Sequence, residues 1–535
     1  MLTTLVARSA HAAHAATRFD PRHIRDVLPH QGPERKALLL TAIDAARAAG
    51  AQYCDVRFGI NHREIWQQFE GLRYPAPSNM TVVAVSVRAL YDGYWGFAAA
   101  EGLPSIDIVS KLGKDAAAQA KIGARGKPRT ALLAPTAVVT DGVWTTPIEI
   151  DPFTVDPGEK VDLMLGIDSF IERQAPGVGG GGMLMFVRDE TSFASSDGSF
   201  FTQTLYTSEA GVLIGAEPHY QTKLEANRNC SLASVAGAGW EHIVRAPIEE
   251  HVPQYVEQAL AMRTPTPVNV GRYDIVFDTD AMADILDGTF GAATEIDRAM
   301  GYRANTVGTS YLSDPTRMLG SEQVAAPIVS VSSDRTMLKG AATVKWDAEG
   351  VTPDVVPLVT KGVLTDFQTT RESASWLSDA YARVNRPVRS HGCATSDSIT
   401  APAQSMCANL TLAPGPGNDT FESLVASTKK GLAVLGSSVT MDQQCLNGAC
   451  QGNLVYEIVD GKLGKVIGGT TILFRAPEFW KGVLALGGPS SARTTGRSNW
   501  PLDPLGTRTG GKARSTSVVP AKVKQLAVVD TIPRT

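Results

Sequence analysis

The chain has 535 residues, of which 43% are hydrophobic, and this is enough for two to four domains whose cores need neither metals nor disulfides. Its 50 basic and 54 acidic residues give a formal charge of -4, which excludes the overall electrostatic footprint of a nucleic-acid-binding protein. No stretch approaches the roughly eighteen apolar residues of a membrane helix, so we expect a soluble protein with no membrane partner.

The first residues are rich in alanine and histidine. Small residues flank His11 and His14 as they do at a signal-peptidase cleavage site, but the preceding apolar run is short and has no basic start. Residues 1–33 are therefore either a disordered tail or, over residues 1–17, the remnant of an export signal. The compartment, cytoplasmic or periplasmic, stays open.

Residues 34–125 read as an N-terminal mixed α/β domain. Helical spacing of apolar residues predicts a helix over 34–49 and another over roughly 106–123. Between them, a β-branched run ends at Asp92-Gly93, which is a two-residue hairpin signal. A compact helix, hairpin, helix module follows.

Residues 126–265 form the predicted middle domain. The glycine run 177–182 lacks both the GK[ST] ending of a P-loop and the acidic follow-up of a dinucleotide fold, so it predicts a flexible loop rather than a phosphate cradle. Residues 196–198 indicate a turn between strands, and residues 251–262 a helix. The linker 264–267 closes this domain.

Residues 271–535 form the third predicted domain. Residues 273–277 read as a buried strand, followed by a helix that Thr279 or Asp280 would cap. The stretch 486–520 is rich in Gly, Ser, Thr, Pro and Arg and predicts a flexible, basic segment before a last strand around 525–529.

The segment 287–302 reads DGTFGAATEIDRAMGY. It resembles the core of the TldD/PmbA family, also called modulators of DNA gyrase, whose active members carry a His-Glu-x-x-Gly-His zinc motif followed by Thr/Leu-Glu-x-Asp. Further runs match in the family's order, and the resemblance spans roughly residues 35 to 485. These runs include YCDVRF at 53–58, VSVRALYDGYWGFA at 85–98, DAEGV at 347–351, QGNLVYEI at 451–458 and PEFW at 477–480.

The resemblance places Asp287 at the first motif histidine, Gly288 at the glutamate and Ala292 at the second histidine. Zinc needs imidazole or thiolate donors, and a zinc peptidase also needs a carboxylate to accept a proton from the metal-bound water. Glycine and alanine supply neither. The family's third ligand is a late cysteine, yet no cysteine follows Cys450. The resemblance therefore implies a degenerate member with no catalytic residue, no zinc and no expected cofactor.

Residues five apart do not share a face of an ideal α-helix. The resemblance implies that the glycine between the two histidines of active members eases a local distortion, and Gly291 keeps that place. The motif helix thus retains its scaffold role in this interpretation, with Ile285, Ala292, Ile296 and Met300 on an apolar stripe.

Other groups of donors offer alternatives. Asp280, Asp284 and Asp287 would share one helix face and suit a hard cation, and Asp287, Glu295 and Asp297 form a possible residual site. Solvated acids are the competing interpretation.

The late cysteines are also ambiguous. Cys445 with Cys450, and Cys393 with Cys407, could form disulfides, whereas free buried thiols are equally ordinary. Together with His391 they could also hold a structural zinc, although their spacing fits no familiar finger.

The family resemblance implies an α+β fold, with an N-terminal mixed α/β domain and a larger strand-rich C-terminal domain. It also implies two related chains around a chamber, with zinc in only the TldD-type chain. The first hypothesis is a non-catalytic, TldE-like subunit that pairs with a TldD-type homologue or with itself and acts on unfolded or short peptides. The alternatives are an active metallopeptidase with an atypical ligand set, or a stand-alone peptide-binding protein.

Overall fold

The computed structural model describes residues 33–68, 74–126, 131–215, 227–498 and 512–531. The predicted export-signal remnant at residues 1–17 lies outside these ranges. None of the described helices is long and apolar enough to cross a membrane.

The N-terminal half is built on one seven-stranded sheet. Its strands run in the order β3-β2-β1-β5-β6-β4, and β7 pairs with β6. The strands are β1 Tyr53–Gln67, β2 Ala76–Tyr91, β3 Tyr94–Glu101, β4 Gly142–Thr145, β5 Gly179–Ser195, β6 Phe200–Gly215 and β7 Asn227–Ala236. The helices of this half are α1 Pro33–Ala48, α2 Ile106–Gly123, α3 Pro157–Gln174, α4 Glu241–Val244 and α5 Ile248–Ala261, with a 3-10 turn at Pro152–Thr154.

Most predicted elements of this half are confirmed. Helices α1, α2 and α5 lie where apolar periodicity places them, and Asp92-Gly93 joins β2 to β3 with both residues at positive φ, as a two-residue hairpin requires. However, β1 pairs along its length with β5. The predicted boundary at 125/126 therefore runs through a single sheet.

The prediction of a flexible loop at residues 177–182 is wrong. Residues 179–182 begin β5 and pair with residues 212–215 of β6. A Cβ atom on Gly180 would lie 2.9 Å from Cδ1 of Ile171, and one on Gly182 would lie 3.2 Å from Cε of Met164. The glycines therefore let α3 approach the sheet closely, which is one of the few reasons for glycine inside a strand.

The C-terminal half contains two larger sheets. One has the order β12-β11-β10-β15-β22-β21, and the other has the order β16-β9-β23-β19-β17-β18-β8 with β20 on β23. An additional β16–β17 pairing closes β16, β9, β23, β19 and β17 into a small barrel. The chain thus has the predicted α+β architecture with a strand-rich C-terminal part.

The remaining strands are β8 Thr266–Pro267, β9 Gly271–Phe277, β10 Val331–Asp334, β11 Val355–Thr360, β12 Val363–Leu364, β13 Ala394–Thr395, β14 Gln404–Ser405, β15 Asn409–Leu412, β16 Lys430–Met441, β17 Asn447–Val459, β18 Lys462–Gly468, β19 Thr470–Arg475, β20 Val483–Leu486, β21 Arg493–Arg497, β22 Arg514–Val518 and β23 Ala521–Asp530. The remaining helices are α6 Thr279–Leu286, α7 Ile296–Ala299, α8 Pro315–Met318, α9 Arg371–Ser375, α10 Ser378–Arg383, α11 Phe421–Ala426 and α12 Ala476–Lys481, with a π-helical turn at Asp287–Gly291 and a 3-10 turn at Pro489–Ser491.

Two predictions for this half need correction. The segment 486–520 contains β21 and β22, so its described parts are regular structure, while residues 499–511 lie outside the described ranges. The cap of α6 is Asp278, whose carboxylate accepts the backbone N–H of Ala281 at 2.8 Å, rather than Thr279 or Asp280. The strand predicted over 525–529 is confirmed within β23.

The two halves meet through buried ion pairs. Arg88 of β2 pairs with Asp55 of β1 at 2.6 Å and with Glu349 at 3.0 Å. Arg57 of β1 donates to the hydroxyl of Ser396 at 2.5 Å. Asp55, Arg57, Arg88 and Glu349 are all buried. The sheet of the N-terminal half therefore meets the C-terminal half at a desolvated polar interface.

Candidate functional site

The motif helix is distorted where the family resemblance places its metal-binding motif. Helix α6 continues into the π-helical turn 287–291, and the backbone N–H of Ala292 donates to the carbonyl of Asp287. Single π-turns inside α-helices are rare and frequently occur at functional sites. This winding aligns residues five apart, so positions 287 and 292 come to one face of the helix.

Asp287 is buried and paired with two arginines. Its side chain is 3% exposed. Arg514 binds both carboxylate oxygens side-on, through Nε to Oδ1 and through Nη2 to Oδ2 at 2.5 Å. Nη1 of Arg497 lies 3.5 Å from Oδ2. The carboxylate at the position that the resemblance assigns to the first motif histidine is thus paired with two guanidinium groups.

The two arginines come from adjacent strands. Arg497 ends β21, Arg514 begins β22, and the two residues face each other in the antiparallel register. Burial works against the charge of the Arg514 guanidinium, but Asp287 more than compensates and raises the pKa of Arg514. Arg514 therefore stays charged.

Positions 288 and 292 carry no reactive group. A Cβ on Gly288 would lie 3.2 Å from Cγ of Met441 and 3.5 Å from Cγ1 of Val439. The space beside the glutamate position is thus bordered by apolar atoms. Ala292 is buried and contributes only a methyl group.

Cys407 borders the same site, and the sequence alone did not indicate this. A Cβ on Gly291 would lie 3.0 Å from Sγ of Cys407, 2.9 Å from Cδ1 of Leu410 and 3.6 Å from Oδ1 of Asp287. Burial raises the pKa of the Cys407 thiol well above its ordinary value. In the metal-free chain the thiol is therefore protonated.

Asp284 joins the arginine pairs, whereas Asp280 is exposed. Nε of Arg497 donates to Oδ1 of Asp284 at 2.7 Å. Burial raises the pKa of Asp284 to about 6, partly offset by Arg497. The helix spacing does place Asp284 and Asp287 together, but arginines hold them both.

Glu295 binds protein groups. It is fully buried, and its Oε2 pairs with Arg298 at 3.4 Å and with Arg303 at 3.0 Å. Its Oε1 accepts the backbone N–H of Cys407 at 3.0 Å. Glu295 thus anchors the segment that carries Cys407.

Asp297 has a similar anchoring role. Its Oδ2 accepts the backbone N–H of Ser405 at 2.6 Å. Burial raises the pKa of Asp297 to about 6 despite this hydrogen bond. Asp287, Glu295 and Asp297 therefore lie along one segment but bind different partners.

Behind the motif, an aromatic layer supports the π-turn. The hydroxyl of Thr289 donates to the carbonyl of Ile285 at 2.5 Å and accepts Nε1–H of Trp480 at 2.9 Å. The Phe290 and Trp480 rings lie 5.0 Å apart. The PEFW run thus packs directly on the motif helix.

The late cysteines and His391 are all buried. Cys393, Cys407, Cys445 and Cys450 are buried free thiols. His391 lies between Asp354 and Asp366, at 3.0 and 3.1 Å. Among the described residues, no group of three or more His, Cys, Asp or Glu side chains is arranged to hold a metal ion.

These residues do not fit a zinc peptidase site. The donor positions carry an arginine-bound carboxylate and a methyl group, and the base position carries a glycine.

Residues 270–521 match the family model described as the PmbA/TldA metallopeptidase C-terminal domain, so the fold around the motif helix is that of a metallopeptidase-like protein. The family match thus covers the C-terminal half of the chain, which contains the motif helix. A metalloprotease of Methanothermobacter thermautotrophicus is 25% identical over 397 residues, covering 72% of this chain and 77% of that one. A metalloprotease of Methanocaldococcus jannaschii is 23% identical over 362 residues, covering 66% and 71%.

Solved structures share the fold over nearly the whole chain. A modulator of DNA gyrase from Thermotoga maritima aligns with a TM-score of 0.66 at 15% identity, covering 92% of this chain and 100% of that one. TldE from Thermococcus kodakarensis aligns with a TM-score of 0.63 at 14% identity, covering 92% and 99%. At these identities the likeness establishes the fold alone.

Proposed function

We propose that this chain is a non-catalytic, TldE-like member of the TldD/PmbA family. It supports peptide proteolysis as a subunit beside a TldD-type catalytic homologue, and it supplies chamber wall and peptide-binding surface. The observation that carries the proposal is the buried pair of Asp287 and Arg514, since a guanidinium holds the group at the first ligand position.

The base position supports the same conclusion. Peptide hydrolysis at a metal requires a carboxylate that takes a proton from the attacking water. Gly288 has no side chain, and Met441 and Val439 border the place that a Cβ there would take. No carboxylate replaces it from a neighbouring position, because Asp284 and Asp287 are held by arginines.

The atypical metallopeptidase is less well supported. It would need Asp287, Glu295 and Asp297 to bind a metal or a water. Glu295 instead pairs with Arg298 and Arg303, and Asp297 accepts the N–H of Ser405. Recruiting either carboxylate would leave buried arginines or a buried N–H without a partner, which costs about 1–3 kcal/mol for each lost hydrogen bond.

The names of relatives are compatible with this proposal. Two relatives are called metalloproteases, and one structural neighbour is called TldE. A family with catalytic and supporting chains accounts for a metallopeptidase fold that lacks a metallopeptidase residue set.

The test combines metal content with cleavage. The purified chain is exposed to zinc, dialysed and measured by elemental mass spectrometry, and an unfolded peptide is incubated with it, with a TldD-type partner, and with both. We expect no stoichiometric zinc in the isolated chain and cleavage that requires the partner and increases when this chain is added.

A matched control uses a partner whose motif glutamate is replaced by glutamine, which should abolish cleavage in the mixture. Stoichiometric zinc together with cleavage by the isolated chain would overturn the proposal. Peptide binding without any effect on a partner's cleavage would instead favour the stand-alone peptide-binding protein.

A further inference from the structure

Two acids and two bases meet in the interior beside the motif helix. Asp284 and Asp287 lie on successive turns of the helix, and Arg497 and Arg514 face each other at the end of β21 and the start of β22. We infer that Arg514 is a built-in structural cation, which takes the electrostatic place of a metal ion and ties this hairpin to the motif helix. This inference goes beyond the proposed function and holds whether or not the chain assists cleavage.

Arg514 and Asp287 form a bidentate ion pair. Nε and Nη2 of Arg514 engage the two oxygens of Asp287 in parallel, which is the bidentate arrangement that gives arginine–carboxylate pairs both strength and direction. Arg514 and Asp287 are each 3% exposed. Solvent therefore does not screen the pair as it screens surface ion pairs.

Register places the second arginine to complete the charge balance. Arg497 faces Arg514 in the β21–β22 pairing, so both guanidinium groups reach the same helix. Arg497 contacts Asp284 at 2.7 Å and Asp287 at 3.5 Å. The four side chains thus form a connected set of two positive and two negative groups.

The neighbouring groups leave this balance unchanged. Cys407 borders the site as a buried thiol, and its raised pKa keeps it neutral. Ala292 adds no donor. The guanidinium of Arg514 is consequently the cation that stabilises a buried carboxylate at position 287.

A double-mutant cycle tests the inference. The variants are Arg514→Met, which removes the charge at similar length, Asp287→Asn, which removes the opposite charge, and their combination. Each single change removes the bidentate partner of a buried charge, so we expect Arg514→Met to raise the unfolding equilibrium constant about 100- to 1,000-fold. The double variant leaves neither charge and should recover at least roughly tenfold of this loss.

The matched control is Arg493→Met on β21, the strand that pairs with the β22 strand of Arg514. Arg493 is exposed and donates to the carbonyls of Ser490 and Ala492. Its replacement should change the unfolding constant by no more than about twofold. Additive effects of Arg514→Met and Asp287→Asn would overturn the inference.

A conservative variant keeps the test decisive if Arg514→Met does not fold. Arg514→Lys retains the charge but loses the planar fork, so it should fold with a stability between those of the wild type and Arg514→Met. Failure of Arg514→Lys to fold would show that charge at this position is not what the fold requires. Zinc or manganese should not raise the unfolding midpoint of the wild type, and a rise that Asp287→Asn abolishes would also overturn the inference.

Discussion

The backbone N–H of Ala292 donates to the carbonyl oxygen of Asp287, so one turn of the motif helix is wound with i→i+5 hydrogen bonding. A regular α-helix would rotate these two positions away from each other. This geometry would suit two ligands on one face, but the side chains here are a carboxylate held by arginines and a methyl group.

The π-turn depends on a glycine at position 291. A Cβ there would lie 2.9 Å from Cδ1 of Leu410 and 3.0 Å from Sγ of Cys407. We expect Gly291→Ala to lower the unfolding free energy by about 1–3 kcal/mol through overpacking, measured by urea denaturation. Gly166→Ala in α3 is the control, because its Cβ would meet nothing within 4 Å, and it should be neutral or stabilise by up to ~1 kcal/mol. Equal behaviour of the two variants would contradict this account.

Thr289 supplies the acceptor for a buried indole. Thr289→Val keeps the shape but leaves Nε1–H of Trp480 without an acceptor, so we expect a loss of about 1–3 kcal/mol in unfolding free energy. The intrinsic tryptophan emission should shift as the indole environment changes. Thr306→Val removes an exposed hydroxyl and should stay within about 0.5 kcal/mol of the wild type. An unchanged Thr289→Val variant would show that this hydrogen bond adds nothing.

The titration of His391 makes the stability of the fold fall as pH rises from neutral to alkaline. Burial favours the neutral ring, but hydrogen bonds to Asp354 and Asp366 and the charges of these carboxylates outweigh it and raise the pKa of His391 to about 9. The folded pKa exceeds the unfolded value of about 6.5, so the stabilisation is complete below that pH and is lost as pH rises towards 9.

The matched comparison is His391→Gln. The stability advantage of the wild type over this variant should shrink by up to ~3 kcal/mol between pH ~6.5 and ~9, as followed by urea denaturation at each pH. A difference between the two proteins that does not vary with pH would rule out titration of His391 as its source.

Asp297 also makes stability fall as pH rises, but in the acidic range. Burial raises the pKa of Asp297 to about 6, against an unfolded value of about 3.9, so the folded protein binds more protons in this window and loses stability as pH rises through it. Asp297→Asn retains an oxygen for the N–H of Ser405 and removes the buried charge. We expect it to exceed the wild type by up to ~3 kcal/mol at pH 7 and to match it near pH 4. The exposed Asp379→Asn should show no such pattern, and a destabilised Asp297→Asn at pH 7 would refute the explanation.

Local structure was largely predictable from the sequence. Helix α2 begins at Ser105, whose hydroxyl accepts the N–H of Ile108, and ends near Gly123, as apolar periodicity indicates. The Asp92-Gly93 turn follows from the positive φ that both residues adopt. The lack of an ionisable side chain at positions 288 and 292 is also evident from the sequence.

The long-range part of the site was not predictable. Arg497, Arg514 and Cys407 are more than a hundred residues from Asp287 in sequence, and only the pairing of β21 with β22 and the anchoring by Glu295 bring them to it. Composition suggested a solvated tail where these arginines lie, because charged residues usually are solvated. The glycine run of β5 was wrongly predicted to be a flexible loop for a related reason. Its glycines are needed because α3 packs closely on the strand, and this tertiary contact is not visible in the local sequence.

The pairing of β1 with β5 has a consequence for how the chain is made. The first strand cannot complete its hydrogen bonds until residues 179–195 have left the ribosome, so the nascent N-terminal segment carries an unfilled strand edge for much of synthesis. Contacts of such high sequence separation slow folding. A fragment that ends at residue 125 should therefore aggregate rather than fold alone, and expression of the N-terminal half should require at least the whole seven-stranded sheet.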